Sequence, residues 1–115
     1  MREFTNSMRL VLLVGAPFFL SIAHAAQIYG TLTENGRAAA GLQIIVRCAD
    51  ESTFQAQTSE SGSYSVRIDA AGYCTFIVSN RPGQPSLEIY LYDQPSRYDF
   101  NLIPNQDGSY TLSKM

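Results

Sequence analysis

Few side chains in this sequence could do chemistry, and their spacing narrows that chemistry further. The only histidine, His24, lies in a segment that reads as a leader, so the rest of the chain has none. Without one there is no His-based acid–base or triad catalysis and no His-containing zinc site. The two cysteines, Cys48 and Cys74, are too far apart for a CxxC redox motif, and no His or Lys flanks either to depress a thiol pKa. Asp93, Asp99 and Asp107 do not cluster in the D-x-D-x-D manner of oxygen-rich calcium sites. Asp93 and Asp107 are expected to cap turns, Asp99 to be a solvated strand residue, and Asp50-Glu51 to form the turn after Cys48. No G-x-S-x-G, phosphate loop or Gly-rich nucleotide motif occurs. No catalytic residue, metal ligand or cofactor is therefore expected, and the chain reads as a non-enzyme.

The most suggestive surface feature is Leu87-Glu88-Ile89-Tyr90-Leu91-Tyr92. In an extended strand, Leu87, Ile89 and Leu91 pointing inward put Tyr90 and Tyr92 together on the outer face. There their amphipathic rings can stack on sugar rings or on a partner's apolar patch. Arg97 and Tyr98 follow closely and are expected to extend that patch. The competing reading has the strand in the opposite phase or covered, which makes the tyrosines structural.

The elements that must position these residues begin after the leader. Residues 1–9 carry Arg2 and Arg9, Leu10–Leu20 is apolar, and Ala23-His24-Ala25 has the small-x-small form of a cleavage site. These are the parts of a secretory signal, expected to be cut after Ala25, with either Met1 or Met8 as the start. The apolar run falls short of the ~20 residues needed to span a bilayer, so no stable membrane span is expected once the signal is cleaved. The whole chain has 8 Lys+Arg and 10 Asp+Glu; losing Arg2, Arg9 and Glu3 leaves 6 bases, 9 acids and a net charge of −3. A mildly acidic chain of that size excludes a basic nucleic-acid binder and a two-domain enzyme. The organisation is thus a signal over residues 1–25 and a single exported domain over residues 26–115, periplasmic or secreted. In an oxidising compartment two cysteines default to a disulfide.

From Gln27 onward the pattern alternates with period 2 in short segments divided by Gly, Pro, Asn, Asp and Ser, and no stretch holds a 3.6 period. Strands are predicted at 27–33, 42–48, 54–58, 63–68, 73–79, 87–92, 97–103 and 109–113. Asn35-Gly36, Ser61-Gly62 and Asp107-Gly108 mark tight turns. The longest irregular connection, Asn80–Ser86, holds Pro82 and Pro85, which forbid a central strand there. The phases agree on one core: Ile28, Leu32, Leu42, Ile44, Val46, Tyr64, Val66, Ile68, Phe76, Val78, Leu87, Ile89, Leu91, Phe100 and Leu102. Cys48 and Cys74 share that inward phase, which suits a buried bridge. Several one-sided strands need a second sheet to cover them, so the expected form is all-β, a two-sheet sandwich of seven or eight strands with one disulfide.

Three segments carry a resemblance: Ile28-Tyr29-Gly30-Thr31-Leu32-Thr33; Asn35-Gly36 with Ala40-Gly41-Leu42-Gln43-Ile44-Ile45-Val46; and Thr58-Ser59-Glu60-Ser61-Gly62-Ser63-Tyr64-Ser65-Val66. Over residues 27–79 the chain resembles the carboxypeptidase regulatory-like (transthyretin-like) domains. Their pattern has a first strand ending around a glycine, a "G-x-P/A-hydrophobic" approach to a second strand and a "T-x-x-x-G-x-Y/F" hairpin. The resemblance implies a Greek-key sandwich that serves exported proteins as a non-catalytic accessory or adhesive module. Gly30 inside a strand points to a bulge or a close backbone approach. Two branches of similar folds are disfavoured by the residues. The hydroxyisourate hydrolases need histidines and a C-terminal Tyr-Arg-Gly-Ser, whereas this chain ends Thr111-Leu112-Ser113-Lys114-Met115. The collagen-adhesin B repeats need an early-strand lysine for their isopeptide bond, whereas the only lysine here is Lys114. The expected function is a binding or interaction module contacting a protein or glycan. A structural subunit of an envelope or fimbria-like assembly is an alternative, as is an inhibitor that plugs a hydrolase with Asn80–Ser86.

Overall fold

The computed structural model describes residues 26–115, so the expected signal over residues 1–25 and the choice of Met1 or Met8 lie outside the described residues. The strands are β1 (Ala26–Glu34), β2 (Arg37–Ala38), β3 (Gln43–Cys48), β4 (Thr53–Gln57), β5 (Ser63–Ile68), β6 (Gly72–Val78), β7 (Ser86–Leu91), β8 (Ser96–Arg97), β9 (Phe100–Pro104) and β10 (Tyr110–Lys114). They form a two-sheet sandwich. One sheet has the order β10-β9-β1-β2, with β5 and β8 also pairing β1; the other has the order β4-β3-β6-β7. The chain leaves the smaller sheet after β4, adds β5 to the larger one and returns as β6, which therefore lies beside β3 rather than β5. This non-sequential order is the signature of a Greek-key connection.

The alternation read from the sequence sets the packing. Along β5, Tyr64, Val66 and Ile68 are buried while Ser63, Ser65 and Arg67 are exposed, as period 2 requires when one face meets a core. Every expected core residue is buried except Leu87, which is half-buried and packs against the rest. Two details differ from the sequence reading. The two-residue β2 was not expected. It arises because Asn35 and Gly36 both adopt positive φ, 53° and 82°, turning the end of β1 back on itself. The strand expected over residues 97–103 is also divided in two at Tyr98-Asp99, for a reason given below.

Cys48 and Cys74 form the one disulfide and face each other directly across β3 and β6. The Cys48 amide donates to Ser52 on the β4 side, so the pair occupies a non-hydrogen-bonded position, where antiparallel strands approach most closely. Their Cα atoms lie 4.1 Å apart. Between the two cysteines the chain visits the other sheet and returns. The bridge therefore removes freedom from a long unfolded loop, worth about 3.5 kcal/mol in the chain-entropy account.

Candidate functional site

The outer face of the four-stranded sheet carries a ridge of three tyrosines. Alternation along β7 buries Ile89 and Leu91 and turns Glu88 and Tyr90 outward, and Tyr92 follows in the same phase. Across the β6–β7 hairpin Tyr73 stands opposite Tyr90. Both the Tyr73–Tyr90 and the Tyr90–Tyr92 ring centroids are 4.9 Å apart, with planes at 70°, an edge-to-face arrangement favoured by the ring quadrupoles. Despite these contacts, Tyr73 is 62 % exposed, Tyr90 40 % and Tyr92 52 %. The next row of the same face is Arg47, Thr75 and Glu88, one residue from each of three neighbouring strands. A shallow groove of about 250 Å³, lined by Arg47, Tyr73, Thr75 and Glu88 among others, joins this row to the ridge. The outward phase of Tyr90 and Tyr92 is as the sequence indicates. Tyr73 was missed, although its own phase, opposite to Cys74 and Phe76, pointed outward.

Arg97 and Tyr98 do not extend this ridge, which corrects the patch expected from the sequence. The β7–β8 connection crosses between sheets, so close neighbours in sequence end on opposite faces of the sandwich. Arg97 sits beside Tyr29 on the outer face of the larger sheet, with its guanidinium 6.0 Å from that ring and 3.0 Å from Asp99. Tyr98 is turned inward and only 9 % exposed. Its ring stacks on Phe100, and its hydroxyl donates to the Tyr90 carbonyl at 2.6 Å. The signal that places it there is phase: Tyr98, Phe100 and Leu102 alternate together.

The division between β8 and β9 follows from a close approach at Gly30. The parallel pairing with β1 keeps one offset on both sides of the break, Ile28 with Ser96 and Leu32 with Phe100. No residue is inserted; a single ladder bond is missing. In its place the Thr31 amide donates to Asp99 Oδ1 at 2.8 Å, while the Tyr98 carbonyl accepts from the buried Tyr64 hydroxyl at 2.7 Å. A Cβ on Gly30 would fall on that carbonyl oxygen, so only glycine leaves the room. Tyr64 pairs with Gly30 across the sheet, which brings its hydroxyl to that carbonyl. Burial, followed by the nearby Asp99 charge, holds the Tyr64 phenol far above its usual pKa, so it remains a donor. Asp99 is consequently not a simple solvated residue. Partial burial works against its charge, but Arg97 and the two bonds from Thr31 outweigh that and keep its carboxyl below the usual range.

The other candidates are structural. Asp107 accepts from the Ser109 amide and hydroxyl, as expected of a turn cap, and Asp50 does the same for Ser52. Asp93 is exposed. The Asn80–Ser86 connection is laced down. Asn80 bridges the Gln43 amide and the Gly41 carbonyl, Arg81 pairs with Glu34 at 2.9 Å, and Pro85 is buried. Tyr110 also donates to Glu34, so the loop is tied to both β1 and β10. Apart from the tyrosines, Thr58 is the one buried polar residue among the described residues, and its hydroxyl links the Ala39 carbonyl to the Leu42 amide. Thr58 and Tyr64 of the hairpin motif thus serve the frame, as does Gly62, whose carbonyl accepts from the Leu32 amide.

Among the described residues no three His, Cys, Asp or Glu side chains converge to hold a metal ion, and no helix is long and apolar enough to cross a membrane. No protein-family model matches the chain, and no curated protein does. Among solved structures it is similar to the crystal structure of a DUF3823 family protein from Parabacteroides merdae ATCC 43184, with a TM-score of 0.54 and 12 % identity. The match covers 81 % of this chain and 48 % of that one, so this chain spans about half that protein's length. At this identity the likeness is one of fold. It supports the all-β two-sheet sandwich and not the carboxypeptidase regulatory-like assignment in particular.

Proposed function

We propose that the chain is an exported, non-catalytic binding module, carboxypeptidase regulatory-like in kind, that docks a protein of the cell envelope through its tyrosine ridge. The observation that carries this reading is the exposure of Tyr73, Tyr90 and Tyr92 on one uncovered sheet face beside Arg47 and Glu88. Tyrosine supplies large contact area at a low entropic cost, and flanking charges of both signs suit a protein surface. The tilt of 70° between successive rings favours a protein over a glycan, because a sugar chain stacks best on rings that lie flat. The glycan reading rests on the hydroxyl-bearing exposed rings themselves. Asn80, Arg81 and Pro85 are tied to the frame, which leaves only Pro82–Gln84 exposed as a plug and weighs against the inhibitor reading.

The test compares the wild-type protein with a Tyr73→Ser/Tyr92→Ser variant as baits on an envelope extract, and on an array of envelope glycans. Because both rings are largely exposed, the variant is expected to unfold within a few degrees of wild type. It should lose the protein captured by wild type. Equal capture by both baits overturns the assignment of the ridge, and binding to glycans alone overturns the protein partner.

A further inference from the structure

The four edges of the sandwich are not equally protected. On β7 the hydrogen bond from the Val78 amide to the Pro85 carbonyl directs Leu87, Ile89 and Leu91 toward β6, so Glu88 and Tyr90 turn their main-chain groups outward. That edge carries the Glu88 charge, and the Tyr98 hydroxyl already occupies the Tyr90 carbonyl. The edge strand β10 ends in Lys114, and β5 carries Arg67. Charges on edge strands discourage pairing with another chain. By contrast, β4, Thr-Phe-Gln-Ala-Gln, contains no charge, proline or glycine, and among the described residues no strand pairs its far side. Thr58 exchanges main-chain bonds with the β3 side, so alternation sends the amides and carbonyls of Thr53, Gln55 and Gln57 out to solvent.

We infer that β4 is the docking edge for a second copy of this chain, the two strands running antiparallel about a two-fold axis at Gln55. What favours this occupant is that the strand complements itself on both faces. With Gln55 opposite its own copy, Thr53 falls opposite Gln57 of the second copy, so the outward groups form hydrogen-bonded pairs. On the outer face amides meet amides and a hydroxyl, and no like charges are opposed. On the inner face Phe54 falls opposite Ala56 of the second copy. Both are only partly buried against the core, so pairing covers what the sandwich leaves open. The nearest acids, Glu51 and Glu60, lie beyond the ends of the seam. Such a two-fold contact closes on itself and yields a dimer rather than a fibre. A five-residue edge belongs to the small-interface class, so the dimer is weak.

The test is sedimentation velocity on the purified full-chain protein from about 10 µM to about 1 mM, the range where small interfaces are populated. Wild type is expected to shift from monomer to dimer, with slowed exchange of the Thr53, Gln55 and Gln57 amides at the high end. Gln55→Lys and Gln55→Glu alter an exposed side chain and keep the wild-type unfolding temperature. Each places like charges at the axis and should weaken self-association by roughly tenfold or more. An equimolar mixture of the two variants should recover the dimer. A wild type that stays monomeric throughout overturns the proposal. So does a Gln55→Lys variant that self-associates as wild type does, or a mixture that fails to recover. A Tyr73→Ser/Tyr92→Ser variant should dimerise normally, so failure of the seam and failure of the ridge read out separately.

Discussion

Replacing Tyr64 by Phe removes one hydroxyl and leaves the ring in place against Phe76, whose centroid is 5.4 Å away. The consequence falls on the Tyr98 carbonyl. It is buried beside Gly30 and has lost its place in the β1–β8 ladder to the Asp99 carboxylate, so the hydroxyl at 2.7 Å is its replacement partner. A buried acceptor left without a partner costs about 1–3 kcal/mol. In a domain of this size each kcal/mol moves the unfolding midpoint by roughly 4–8 °C. A mid-range loss of about 2 kcal/mol therefore lowers the midpoint by roughly 8–16 °C. Calorimetry with the disulfide intact measures this directly. A double-mutant cycle with Asp99→Asn locates the effect: both side chains complete the same junction, so the two losses should not add. A midpoint within about 1 °C of wild type would refute the claim that this hydroxyl sustains the break between β8 and β9.

Three further outcomes test the frame. Replacing both Cys48 and Cys74 by Ser should cost up to about 3.5 kcal/mol by the loop-entropy account, read from urea midpoints; an unchanged midpoint would show that the unfolded loop gains no freedom. Thr58→Val leaves the Leu42 amide without its acceptor and should destabilise the protein by about 1–3 kcal/mol, whereas Thr58→Ser should nearly restore it. Asp99 has its folded pKa depressed below the usual value near 3.8. Its contribution is therefore present above that pH and lost as pH falls through the folded value, so the stability of Asp99→Asn should decline less steeply than that of wild type below pH 4.

The strands and the core were legible because a half-buried strand imposes period 2 on its own residues. Tyr64-Val66-Ile68 and Leu42-Ile44-Val46 announce their inner faces without reference to any neighbour. What the sequence cannot supply is strand order and register. Tyr73 and Tyr90 become partners only through the β6–β7 register, and Cys48 faces Cys74 only because β5 leaves the sheet and β6 returns to it. Arg97 and Tyr98 show the converse, since nearness in sequence does not give nearness in space where a crossover between sheets intervenes. For Tyr98 the period-2 rule already placed it with Phe100 and Leu102. The role of Asp99 was beyond that rule altogether, since it depends on the gap at Gly30 in a strand remote in sequence.

The ridge and the β4 edge belong to the same sheet, and their separation yields a distance. Pairing β4 with its copy would join two four-stranded sheets, placing the tyrosine ridges near opposite margins. Seven strand spacings of about 4.8 Å set the two β7 strands roughly 34 Å apart. A partner presenting repeated sites at that span would then be held at both ends, with avidity gained from the second attachment. The geometry is testable without knowing the partner. A spin label introduced by Glu88→Cys lies on β7 within the exposed face, and pulsed electron resonance on the concentrated protein should give separations centred between roughly 30 and 45 Å once the label arms are included. Association through the ridge or through the β7 edge would bring the labels within roughly 20 Å. A distribution centred there would sink both the seam and the two-ended arrangement, while loss of the long distance on adding Gln55→Lys would tie it to the β4 axis.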